Sequence, residues 1–138
     1  MIRHANIDDI EQCLDVCAKA SSLSGNYGEF NRSIARQSLR VRILNPYSLV
    51  LTNENRDGLL IGIATPSIHT TQIKVANEFL YADSEGAAFI KSYLRWANAW
   101  GNTEINFCTS FGGEKGARAE KLLQRLGFSE IGKQFRVI

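Results

Sequence analysis

"QIKVANEFLYADSEGAAFIKSYLRWANAWG", residues 72–101, changes period halfway along. Up to Tyr81 it alternates. Ile73, Val75, Asn77, Phe79 and Tyr81 fall on one face of an extended strand, and Lys74, Ala76, Glu78 and Leu80 on the other. From Phe89 the spacing is helical: Phe89, Tyr93, Trp96 and Trp100 form one stripe, with Ile90, Leu94 and Ala97 beside it. Apolarity on two sides predicts a deeply packed helix, which Gly101 ends. Between the two periods lie only Asp83, Ser84, Glu85, Gly86, Ala87 and Ala88. Asp83 or Ser84 suits the helix cap, and Glu85 suits the positive end of the helix dipole.

On the N-terminal side of this unit, Ile2 to His4 reads as a short strand. Asn6 then caps a helix with Asp8 and Asp9 in its first turn and Ile10, Leu14 and Cys17 on its stripe. Leu23 to Glu29, with Gly25 and Gly28, reads as a loop. Asn31 or Ser33 opens a second helix through about Leu44, which Asn45-Pro46 stops. Ser48 to Thr52 and Leu59 to Thr65 form a hairpin around a turn rich in Asn, Asp and Gly. On the C-terminal side, "TEINFCTS" gives a further strand, Ala119, Leu122, Leu123 and Leu126 line a fourth helix, and Glu130 to Val137 returns as a last strand. The order predicts one α/β (α+β) domain over residues 1–138. Its mixed, largely antiparallel sheet has about six to seven strands flanked by about four helices.

The composition narrows the chemistry. With 138 residues, 44% of them hydrophobic and 22% charged, the chain suits a single core. No apolar run approaches a signal peptide or a membrane span, so the expectation is a soluble, cytoplasmic protein without a membrane partner. The odd count of three cysteines, Cys13, Cys17 and Cys108, lacks metal spacing and reads as buried reduced thiols. His4 and His69 are too few and too separated for a zinc cluster, so no metal is expected. A net charge of +2 is too small to argue for nucleic acid, which is not an expected partner, and the stripe of Arg32, Arg36 and Arg40 reads as a solvated face.

"AEKLLQRLGFSEIG", residues 119–132, resembles the helix, turn and strand near the C-terminus of the Gcn5-related N-acetyltransferase (GNAT) superfamily, written A-x-x-L-Y-x-x-L-G-F. Ala119, Leu122, Leu126, Gly127 and Phe128 carry the match. "MIRHANIDDIEQCLDVC", "LLIGIA" and "VANEFLYAD" fall in the order of that family's first strand and helix, third strand and fourth strand. The ending "GKQFRVI" and the helix around Trp96-Ala97 are similar to a small phage and prophage subgroup.

The resemblance implies an acetyltransferase that moves acetyl from acetyl-coenzyme A, its co-substrate, to an amine of a small molecule or protein. The alternative is a domain of the same shape that binds without catalysing. The implied coenzyme cleft opens where residues Phe79 to Ala82, with Phe79, Leu80 and Tyr81 lining it, part from Phe107 to Ser110. Gly86, Ala87 and Ala88 would then receive the pyrophosphate on backbone N–H groups. The family's R/Q-x-x-G-x-G/A loop is shortened here, lacking its Arg or Gln and first Gly. Arg118 lies where the adenosine end is met. Glu78 stands near the family's catalytic base, where an apolar face would raise its pKa; its other reading is a salt-bridged or solvent-facing strand residue. The tyrosine that serves as acid is replaced by Leu123, and Tyr81, Tyr27 or Ser110 are the hydroxyls to substitute.

Overall fold

The computed structural model describes residues 1–24, 29–109, 113–132 and 137. Contacts divide the chain into two units, Met1–Cys108 and Thr109–Ile138. The first carries a five-stranded sheet in the order β1-β2-β3-β4-β5: β1 Ile2–His4, β2 Ser48–Asn53, β3 Gly58–Pro66, β4 Ile73–Ala82 and β5 Thr103–Ile105. The first four strands pair antiparallel and β5 joins β4 in parallel. The helices of this unit are α1 Ile10–Ser24, α2 Arg32–Leu44 and α3 Gly86–Asn98.

Both faces of the central strands are covered, so β2 and β3 read as near-continuous apolar runs. On the α3 face, Leu49, Leu51, Leu60, Ala64 and Val75 close a core with Phe89, Tyr93 and Ala97. Gly58 and Gly62 of β3 leave room for the Phe89 and Tyr93 rings on that same face. Val50 and Thr52 point to the opposite face, where Thr52 Oγ1 accepts a 2.8 Å bond from Gln12 Nε2 of α1.

The helix starts follow their side chains. Asn6 forms a capping box with Asp9 ahead of α1, and Asn31 Oδ1 accepts from the Ile34 N–H, 3.0 Å, at the start of α2. Arg32 reaches Glu11 and Asp15, and Arg36 reaches Glu11, so two of the three stripe arginines tie α2 to α1. In the second unit, α4 spans Gly113–Arg125. Gly127 follows at φ +95°, with its N–H on the Gln124 carbonyl and that of Phe128 on Leu123. These are the two bonds of a Schellman stop, the physical content of the Leu-Gly-Phe motif.

Among the described residues five strands form where six to seven were expected. The strand expected over residues 103–110 pairs only through Ile105, and residues 130–132 are not extended into a sheet; residues 133–136 lie outside the described ones. Cys13 is buried and Cys17 half-buried, but Cys108 is exposed, against the expectation of three buried thiols; all three are free. Burial raises the Cys13 thiol to about 12 and the Cys17 thiol to about 11. Among the described residues no helix is long and apolar enough to cross a membrane.

Candidate active site

Backbone pairing between β4 and β5 runs through Ile73↔Thr103, Lys74↔Glu104 and Val75↔Ile105, and one more bond joins Asn106 N–H to the Val75 carbonyl at 2.8 Å. There the ladder stops. The next link is a side chain: Asn77 Oδ1 accepts from the Cys108 N–H at 2.7 Å, and its Nδ2 donates to the Cys108 carbonyl at 3.0 Å. The Asn106 carbonyl is taken by the Tyr93 hydroxyl at 2.6 Å. An amide side chain is longer than a backbone link, so Asn77 holds the two chains apart while satisfying both polar groups of Cys108. Beyond it, Phe79, Leu80 and Tyr81 continue the ladder with Ile61, Leu60 and Leu59 of β3.

The same point carries a β-bulge. Ile61 pairs with Phe79 and Gly62 with Asn77, which leaves Glu78 as the extra residue. An extra residue reverses the alternation downstream. Ile73 and Val75 face α3 before the bulge, and Leu80 and Ala82 face it afterwards. The sequence expectation put Glu78 and Leu80 on one face; the bulge overturns it. Glu78 also has a charged neighbour. Arg42 of α2 engages it twice, Nε to Oε1 at 3.1 Å and Nη2 to Oε2 at 2.7 Å, with about a third of each side chain exposed (32% and 31%).

At the β4–α3 junction, neither Asp83 nor Ser84 caps the helix. Glu85 occupies the N-cap in the left-handed region, φ 62°, and makes no side-chain capping bond. Its carboxylate turns to Asn53 Nδ2 at 3.0 Å and to the Met1 nitrogen at 2.9 Å. Ser84 Oγ donates to the Asp57 carboxylate at 2.8 Å, and the Asp83 carboxylate holds Lys19 and the Tyr81 hydroxyl. Asp57, Asp83 and Glu85 are therefore each supplied with donors. The first turn of α3 holds Gly86, Ala87 and Ala88 and contains no acid. A Cβ added at Gly86 would meet nothing within 4 Å.

The remaining sequence candidates separate. Tyr81 is buried, its hydroxyl donates to Asp83 Oδ1 at 2.7 Å, and burial followed by that bond raises its pKa. Arg118 is an exposed residue of α4 with Glu114 at 3.8 Å. Leu123 is buried. Ser110 and Tyr27 lie outside the described residues. Three residues the sequence reading passed over organise the site: Asn77, Arg42 and Asn53. Asn77 and Asn53 look like ordinary strand and turn residues, and Arg42 is off the i, i+4 stripe of its helix.

No protein-family model matches this sequence, and no curated protein matches it. Solved structures do. A putative acetyltransferase from Agrobacterium tumefaciens superposes with a TM-score of 0.76 at 13% identity, covering 100% of this chain and 99% of that one. An aminoglycoside 6'-N-acetyltransferase from Acinetobacter baumannii gives 0.69 at 14% identity, covering 100% and 96%. An integron cassette protein from a salt-marsh metagenome gives 0.78 at 13%, covering 99% and 88%. The chain has the GNAT fold.

Proposed function

We propose that this protein is an N-acetyltransferase that moves the acetyl group of acetyl-coenzyme A to an amine of a small molecule or protein. The fork between β4 and β5 carries the reading. An extended coenzyme arm needs two neighbouring strands that part, and the β4–β5 ladder ends at Val75 and Ile105, just ahead of the bulge at Glu78. The first turn of α3 fits a phosphate: Gly86, Ala87 and Ala88 are small, space is open at Gly86, and the Glu85 carboxylate is drawn elsewhere. Three free thiols suit the cytoplasm.

In this reading the acceptor nitrogen attacks the thioester carbonyl, the new C–N bond replaces the C–S bond, and coenzyme A leaves as its thiolate. The acceptor ammonium must first lose a proton, and Glu78, beside the fork, accepts it directly or through water. Backbone N–H groups on the bulged stretch of β4 stabilise the oxyanion without any particular side chain. With Leu123 where a tyrosine would stand, the thiolate leaves without that acid, at a cost of about 10²–10⁴ in rate.

Calorimetry with acetyl-coenzyme A and with coenzyme A tests binding; acetyl transfer by the Glu78→Gln variant tests the chemistry. We expect a lower kcat with coenzyme affinity retained, because Glu78 acts on the amine. Leu123 and the Arg42–Glu78 pair favour a second reading, a non-catalytic binding module of the same fold. A wild type that transfers acetyl to no amine in a broad panel selects it.

A further inference from the structure

The pair of Arg42 and Glu78 bears on which amine is accepted, an inference that rests on the acetyltransferase reading. α2 carries Arg32, Arg36, Arg40 and Arg42 and no acid. Arg32 and Arg36 are committed to α1 carboxylates. Arg42 projects to β4, and it meets the strand at the bulge where β5 has just parted from it. A guanidinium has five N–H donors. Three are used here among the described residues, two on Glu78 and one on the Ser38 carbonyl at 3.3 Å. Among the described residues each Glu78 oxygen accepts one bond, and a carboxylate oxygen can accept a second. A cation and an anion thus stand side by side at the fork, both partly open to solvent and both with bonding capacity left.

We propose that this pair selects an acceptor bearing an anionic group, a carboxylate or a phosphate, a few bonds from its amine, with the anion on Arg42 and the ammonium on Glu78. The acceptor's two charges complement the two side chains. A plain alkylamine matches only Glu78, and a polyamine brings a second positive charge toward Arg42. Arg42 is then a specificity-determining residue, and Glu78 delivers the amine to the point where β4 and β5 part.

The test is kcat/KM with acetyl-coenzyme A for γ-aminobutyrate, phosphoethanolamine, butylamine and spermidine. One charge-assisted contact predicts that one or both anionic amines exceed butylamine by about 10- to 100-fold. The two anionic probes tell a carboxylate from a phosphate. Arg42→Gln should collapse the ratio of the better anionic amine to butylamine, and Arg42→Lys, which keeps the charge without the fork, should restore part of it. Spermidine or butylamine outperforming both anionic amines in the wild type overturns the inference and leaves the acetyltransferase reading standing, and this comparison needs no variant to fold. An unchanged ratio in folded Arg42→Gln does the same. Failure of every amine, with no coenzyme A binding, removes both.

Discussion

Asn53 and Glu85 are joined across the fold: the Asn53 Nδ2 donates to Glu85 Oε2 at 3.0 Å, linking the end of β2 to the N-cap of α3. Asn53 is fully buried, and the same side chain also donates to Asp57 Oδ1 at 2.7 Å and accepts from the N–H groups of Asp57 and Gly58 at 3.1 and 3.2 Å. One amide therefore shapes the β2–β3 turn and draws a carboxylate off the end of a helix. Asn53→Ala should lose about 1–3 kcal/mol of stability, since buried donors are left unpaired. It should also free Glu85 to fold back onto the first turn of α3, weakening coenzyme A binding about two- to fivefold. Calorimetry on the double variant Asn53→Ala/Glu85→Ala separates the effects, because coenzyme affinity should recover while stability does not. Affinity that stays low in the double variant would make Asn53 a turn residue and nothing more.

Gly86→Asp should act on charge alone. Its Cβ meets no atom within 4 Å, and a carboxylate in the first turn suits the helix dipole, so the melting temperature should hold or rise. Near a bound pyrophosphate the same carboxylate costs about 1 kcal/mol at 4 Å in water, roughly fivefold in affinity. Stability and affinity should thus move in opposite directions. Equal coenzyme A affinity in the two proteins would exclude this turn from the binding site.

The parts of the fold legible in the sequence were those set by local physics. Asn6 and Asn31 cap where their side chains can reach a free N–H, the Phe89 and Tyr93 stripe is buried, and Gly127 ends α4 at positive φ. The bulge at Glu78 was not legible: "VANEFLYA" contains no Gly or Pro, and an uninterrupted alternation fits it equally well. Only pairing with β3 shows that the alternation reverses. The end of β5 was hidden for a related reason. Residues 106–108 have strand-like composition, but Tyr93 and Asn77, distant in sequence, take their backbone groups. The Glu85 cap escaped because Asp83 and Ser84, the better capping types, are engaged by Lys19, Tyr81 and Asp57.

Gly58→Ala and Gly86→Ala should have opposite signs. A Cβ at Gly58 would stand 2.4 and 2.6 Å from two carbons of the fully buried Phe89 ring and 3.4 Å from the Ala82 Cβ. The ring cannot move without disturbing the core under α3, so the cost should be about 1–3 kcal/mol. At Gly86 the space is open and the residue is helical, so alanine should stabilise by up to about 1 kcal/mol. Urea midpoints of the two variants measure this. A Gly58→Ala protein as stable as wild type would show that α3 can shift on β3.

Asp9 makes stability depend on acid pH with a sign that can be worked out. Its carboxylate accepts from Arg3 Nη1 and Nη2, each at 2.7 Å, and from the Asn6 N–H at 2.8 Å. The Arg3 bonds, opposed by burial and aided by the Asn6 N–H, hold its pKa below the ordinary 3.8. A depressed folded pKa means that the unfolded chain takes up the proton first. The stabilisation is therefore complete above about pH 5 and drains away as pH falls through 3.8 toward the lower folded value. Arg3 is 42% exposed, so solvent discounts the pair, and Asp9→Asn should cost about 1 kcal/mol near neutrality. Urea midpoints of wild type and variant should differ steadily from about pH 7 to 5 and draw together as pH falls below 3.8. A gap that persists at the acid end would assign the loss to the fit of the Asp9 side chain and not to its charge, since an amide oxygen can still accept from the Asn6 N–H.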